Sequence, residues 1–211
     1  MRKVTLVLLG AAISVSARAY PECPPKIQNR FECARFIEHA LIKKHPEMLK
    51  RDSRGLSIKL TNGQVKGVVD VNTDDSEKVR DFSAVDYFPE VHVIVLEAQL
   101  YEGTQYELLA LHSGRKTVVT GKPVLSPNRK RFAVHMIDYG AAYEPNMLAV
   151  YRITPTGFEA EFWEKFKGWG PADVKWENDE LISFKEFRLE VPPAQQKTRS
   201  LMSTSGQWQL R

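Results

Sequence analysis

Residues 123–138 read PVLSPNRKRFAVHMID. A turn cluster, Ser126-Pro127-Asn128, gives way to three basic residues and then to an abrupt apolar run. Such a junction marks the start of a strand, and similar junctions recur along the chain. At an offset of 42, Tyr101-Glu102 falls on Tyr143-Glu144, Leu108 on Val150 and Leu111 on Ile153. At an offset near 50, Asn128 falls on Asn178, and Leu181–Phe184 takes the place of Phe132–Val134. A repeat of about 40–50 residues with four strands is the spacing of propeller blades.

The strands themselves are read from alternation. LSIKL (56–60) and QVKGVVDV (64–71) flank the hairpin signal Thr61-Asn62-Gly63. EVHVIVLEAQLY, YELLALH, KTVVTG, RFAVHMID, NMLAVYRI, FEAEFWEKF, VKWE and LISFKEF follow, separated by turn residues, with the polar stretch 72–81 read as a loop. The expected fold is mainly β: antiparallel, propeller-like sheets forming a partial propeller, with one N-terminal helix. Residues 56–188 hold only about three blades, so the open edges need cover. A twisted β-sandwich or an open meander is the alternative.

The helix is read over residues 29–45. Asn29 and Glu32 have capping-box spacing, Cys33, Ile37, Ala40 and Leu41 share a face with Phe36 at its edge, Lys43 and Lys44 suit the last turn, and Pro46 stops it. The first nineteen residues combine Arg2 and Lys3, an apolar run from Val4 to Val15, and Ala17-Arg18-Ala19. That pattern predicts a secretory signal cleaved after Ala19, and the run is shorter than the ~20 residues a membrane span needs. Export implies a periplasmic or secreted protein, in which Cys23 and Cys33 form a disulfide.

Cleavage also changes the charge. The full chain has 30 Lys and Arg against 26 Asp and Glu; loss of Arg2, Lys3 and Arg18 leaves 27 against 26. Nothing in that balance calls for a nucleic-acid partner. The organisation read from the sequence is a signal (1–19), a disulfide-linked helical segment (20–54), a β body (55–190) and a flexible basic tail (191–211), rich in Gln, Ser and Thr.

LSPNRKRFAV resembles the Ser-Pro-Asp-Gly-Lys turn of Tol-type periplasmic β-propellers, in which that turn joins a blade's inner strand to the next. Arg129 stands where that family has glycine, which suits positive φ. The stretches YEGTQYELLALHSGRKTVVTGKPVLSPNRKRFAV and GWGPADVKW resemble a group of uncharacterised exported bacterial proteins with a short N-terminal cysteine pair. That resemblance implies no activity.

The turns carry the candidate site. Tyr101, Glu102 and Tyr106 lie at one; Tyr139, Tyr143, Glu144 and Asn146 at a second, beside Asp138; Trp169, Asp173 and Trp176 at a third. If these corners share a rim, aromatic faces beside carboxylates suit a glycan, peptide or protein of the cell envelope. The bland reading is that the rings cover the ends of a small core. The cluster NRKRF, with Arg115, Lys116 and Lys122, is either a positive patch or a solvated turn. His39, His45, His92, His112 and His135 lack ligand spacing, with His92 and His135 read as strand residues on opposite faces, so neither metal nor cofactor is expected. The function read from this is a non-enzymatic binding or scaffold module of the bacterial envelope. The alternative is a hydrolase acting on an envelope polymer through rim acids such as Glu102, Glu144 and Asp173.

Overall fold

The computed structural model describes residues 23–138, 145–192 and 195–211. Helix α1 spans Arg30–Lys44, and the Asn29 side chain accepts from the amides of Phe31 and Glu32 at 2.8 and 3.3 Å. Lys43 and Lys44 occupy the last turn. Cys23 is bonded to Cys33 in its first turns, with a Cα–Cα separation of 5.5 Å. The buried face is Ala34, Ile37, Glu38 and Leu41, so it includes a carboxylate that periodicity assigns to solvent.

Among the described residues four antiparallel sheets follow, none closed. The first is β1 (Leu49–Asp52), β2 (Gly55–Lys59) and β3 (Val65–Val69). The second is β4 (Asp81–Phe88), β5 (Val93–Gln99), β6 (Thr104–Ala110) and β7 (Arg115–Val119). The third is β8 (Val124–Leu125), β9 (Arg131–Met136), β10 (Met147–Thr154) and β11 (Gly157–Lys165). The fourth is β12 (Gly170–Asn178), β13 (Leu181–Phe187), β14 (Lys197–Thr204) and β15 (Gln207–Leu210). Every sheet is a meander in which strands pair in chain order. Thus β6 and β10 are equivalent third strands, and β9 and β13 equivalent second strands, as the two offsets predict.

Three expectations need correction. Residues 191–211 are not a free tail: β14 and β15 complete the fourth sheet, with Leu201 fully buried and Ser205-Gly206 making a tight hairpin with positive φ at both positions. The polar stretch hides this, because only one face of those strands is apolar. Strand β1 lies inside the segment read as helical, and β4 was not anticipated. His92 is not in a strand; it turns the chain ahead of β5 with φ of +52°.

The sheets stack, as the faces of the third sheet show. Phe132, Val134, Met147 and Ala149 join a core shared with α1 and the first two sheets. Their neighbours Ala133, Leu148 and Val150 point the other way, into a core with Ile182, Phe184 and Leu201 of the fourth. Burial on both faces explains why these strands read as continuous apolar runs instead of alternating. The fourth sheet ends the stack with a polar outer face, where Lys185 meets Asp173 at 2.7 Å and Lys175 meets Glu177 at 2.8 Å.

The Ser126–Lys130 turn joins β8 to β9. Ser126 is buried; its hydroxyl accepts from the Arg131 amide at 3.0 Å. Asp179, in the equivalent turn of the fourth sheet, accepts from the Asn128 amide at 2.8 Å. Arg129 holds φ of +62°, in the region glycine occupies at low cost. Its contact with Glu90, at 3.4 Å between partly exposed groups, contributes little.

At the other end, Glu38 is 2 % exposed and accepts from the Ala84 amide at 3.0 Å and from Arg35 at 3.1 Å. Arg51 of β1 grips Glu38 with Nε and with Nη2, the latter at 3.1 Å, and reaches Asp70 at 2.6 Å. Asp70 accepts from the Phe82 amide at 2.9 Å, and Arg35 also binds Asp81. One network therefore joins α1, the first sheet and β4.

Leaving a buried charge unpaired costs roughly 3–5 kcal/mol. Glu38→Ala and Arg51→Ala should each lower unfolding free energy by about that amount, and the double variant should lose clearly less than their sum. Arg129→Gly should raise stability by about 0.5–1 kcal/mol, since relief of the left-handed strain exceeds glycine's entropy cost. Urea titrations, with the slope unchanged, measure all of these.

Candidate functional site

The β5–β6 turn closes through the Leu100 amide and the Gly103 carbonyl at 3.2 Å, with Gly103 at φ of +92°. It projects Tyr101, which is 70 % exposed. Facing it is the segment before β4. Asp75 caps a short helical turn, Ser76–Lys78, and pairs with Lys78 at 2.8 Å. Arg80 exchanges main-chain hydrogen bonds with Val71 at 2.7 and 3.0 Å. Its guanidinium folds back onto the carbonyls of Glu77 and Val79 at 2.7 and 2.8 Å. Ser76, Glu77, Arg80, Leu100, Tyr101 and Glu102 together line an open cavity of about 350 Å³. It offers one aromatic face, a guanidinium, two carboxylates and a hydroxyl.

The other described candidates do not join it. Tyr106 is a core residue, 5 % exposed, whose hydroxyl accepts from Arg30 at 2.6 Å. Burial, with the Glu97 charge beside it, pushes its phenol well above the ordinary range. Asn146 closes the neck of the β9–β10 connection: its side chain accepts from the Asp138 amide at 2.7 Å and its carbonyl from Phe166 at 2.8 Å. Trp169 stacks on Phe166 at 4.0 Å and lies parallel to Phe184 at 6.3 Å, with Arg199 over its ring at 5.2 Å. Trp176 donates its indole N–H to the Val124 carbonyl at 2.9 Å and meets Trp208 edge-on at 5.8 Å. Both tryptophans are partly buried and pack against the second core. Asp173 sits in a bulge of β12 at φ of +52°, bound to Lys185. Tyr139, Tyr143 and Glu144 lie outside the described residues.

Glu102 and Asp173 thus belong to different sheets, with the third sheet between them. Three of the six cations of the basic cluster are paired: Arg129 with Glu90, Arg131 with Glu161 at 2.5 Å and Lys116 with Glu107 at 2.6 Å. Among the described residues no group of three or more metal-capable side chains converges.

The cavity's second wall, residues 76–80, lies about twenty residues upstream of Tyr101 and carries no motif. Asp86 was missed too. It follows a bulge in β4 and accepts from the Tyr87 amide at 2.8 Å. Burial raises its carboxyl from 3.8 to about 6, despite that amide and the charges of Lys122 and Arg129. The folded state then holds the proton more tightly than the unfolded chain does. Its contribution is neutral below about pH 4, grows destabilising as pH rises from about 4 to about 6, and is constant above that, at roughly 2–3 kcal/mol in full. Asp86→Asn keeps the acceptor without the charge. It should raise stability at pH 7 by about 2 kcal/mol and flatten the pH 4–7 slope, as read from denaturation midpoints across that range. Compared with known proteins, the chain matches no protein-family model and no curated protein.

Proposed function

We propose that the chain is an exported, non-enzymatic binding module of the bacterial envelope, whose sheets are successive blades of an open, propeller-like array. The leader pattern of residues 1–19 supports export. The Cys23–Cys33 disulfide is consistent with an oxidising compartment. Among the described residues no helix is long and apolar enough to cross a membrane.

The observation that carries the binding reading is the exposed Tyr101 ring above a cavity bearing Arg80, Glu77 and Glu102. The apolar face of a sugar stacks on such a ring, while its hydroxyls hydrogen-bond to carboxylates and guanidinium. A glycan of the envelope is therefore the ligand class. Hydrolysis of that glycan is the second reading, favoured only by Glu77 and Glu102 lining one cavity, since that chemistry needs two acids about 5–10 Å apart.

The test is titration of the mature protein, Tyr101→Ala and Glu102→Gln with peptidoglycan fragments by calorimetry. Losing the ring should weaken binding about tenfold, the equivalent of ~1.4 kcal/mol. Equal affinity for wild type and Tyr101→Ala would remove the site. New reducing ends released by wild type but not by Glu102→Gln would replace binding with hydrolysis.

A further inference from the structure

Strand β3 is the last strand of the first sheet and, among the described residues, pairs only with β2. Its hydrogen-bonding parity is set at both ends. The Asp70 amide donates to the Arg54 carbonyl at 2.9 Å and the Leu60 amide to the Gln64 carbonyl at 2.8 Å. Residues 64, 66, 68 and 70 therefore turn their main-chain groups toward β2, and by alternation Val65, Gly67 and Val69 turn theirs outward. Val71 confirms the parity, because its amide and carbonyl face away from β2 and bond Arg80. Those outward groups form a row awaiting a strand.

The side chains of the same residues point to solvent. Val65 is 66 % and Val69 60 % exposed, and nothing lies within 4 Å of a Cβ placed on Gly67. Beside them Asp52, Arg54, Gly55, Ser57, Gly67 and Val69 line a shallow groove of about 200 Å³. Long free edges with exposed valines are rare in isolated proteins because they recruit partners. Charge selects the partner. Lys50, Arg54 and Lys59 are exposed on this face, Lys66 is half-buried at the edge, and Asp52 is already close to Arg54 at 3.7 Å. A two-fold pairing of β3 with a second copy would set these cations against their own kind.

We infer that the edge of β3 takes an extended peptide segment of a partner protein by strand addition. That segment carries apolar residues at alternate positions and acidic residues at its flanks. Main-chain bonds to Val65, Gly67 and Val69 hold it, its apolar side chains cover the two valines, and its acidic side chains, on the opposite face of the added strand, meet Lys66. This surface is separate from the Tyr101 cavity and does not depend on it.

The probe is a capped peptide, Glu-Val-Thr-Val-Thr-Val-Glu, with a lysine-ended counterpart, titrated into isotope-labelled mature protein. Binding should shift the amide signals of residues 65–69 and slow hydrogen exchange at Val65, Gly67 and Val69. Gly67→Pro removes an outward N–H without touching the β2 ladder, a place where an edge strand tolerates proline. It should weaken binding at least tenfold, as should the lysine ends. Val65→Glu with Val69→Glu, both exposed, should do the same should the proline variant fail to fold. Tyr101→Ala should change nothing. Absence of binding, equal binding of both peptides, shifts confined to the Tyr101 turn, or a concentration-dependent dimer abolished by Gly67→Pro would each overturn the proposal.

Discussion

A carboxylate taken almost wholly out of water fixes the architecture around it. Glu38 cannot be buried unless its charge is met and its lone pairs are filled, and Arg35, Arg51 and the Ala84 amide do both. Those partners come from the helix itself, the first strand and the first strand of the second sheet. The same arginines hold Asp70 and Asp81, the residues at the two feet of the 71–80 excursion. The cavity wall formed by residues 76–80 is thus a loop anchored at both ends by a buried ion network. Cys23–Cys33 adds a covalent tie about one and a half helical turns from Glu38, so the start of α1 is restrained twice.

Away from that network, stacking governs. A meander with two apolar faces needs a neighbour on each side, and the third sheet has them. The array stops where a face becomes polar, as the outer side of the fourth sheet does. A bulge in β11 turns Glu161 toward Arg131 of its own sheet and, across the junction, toward the Trp208 indole N–H at 3.2 Å. That contact ties the third sheet to the last strand of the fourth, and burial at its base is overcome by Arg131 and Trp208, which hold Glu161 below the usual carboxylate range.

Much of the fold was legible. Asn29, Glu32 and the terminal lysines marked the helix because capping chemistry is local. The offsets of 42 and 50 found equivalent strands because each sheet repeats the same order of turn and apolar run. The last two strands escaped because Gln, Ser and Thr on the outward face swamp Leu201, Trp208 and Leu210 on the inward one. Glu38 escaped for a different reason: a charge on a helix reads as solvent unless the distant arginines that bury it are known. In the site, Tyr101 and Glu102 were visible as turn residues. Arg80 was not, since what makes it part of the cavity is its bridge to Val71, a tertiary fact.

The aromatic candidates divide by what their surroundings demand. Trp169 has rings and a guanidinium against it, and Trp176 gives its one donor to a main-chain carbonyl, so both have their chemistry consumed by packing. Tyr106 is consumed by Arg30. Tyr101 alone among the described candidate rings stands largely in solvent, on a turn that glycine allows to close tightly. Its cavity and the open edge of β3 meet at a single feature, the Val71–Arg80 bridge, which ends the free edge on one side and fixes the guanidinium wall on the other. Two exposed surfaces of different chemistry, one polar and concave and the other flat and strand-like, are therefore held in fixed relation by the same pair of main-chain hydrogen bonds.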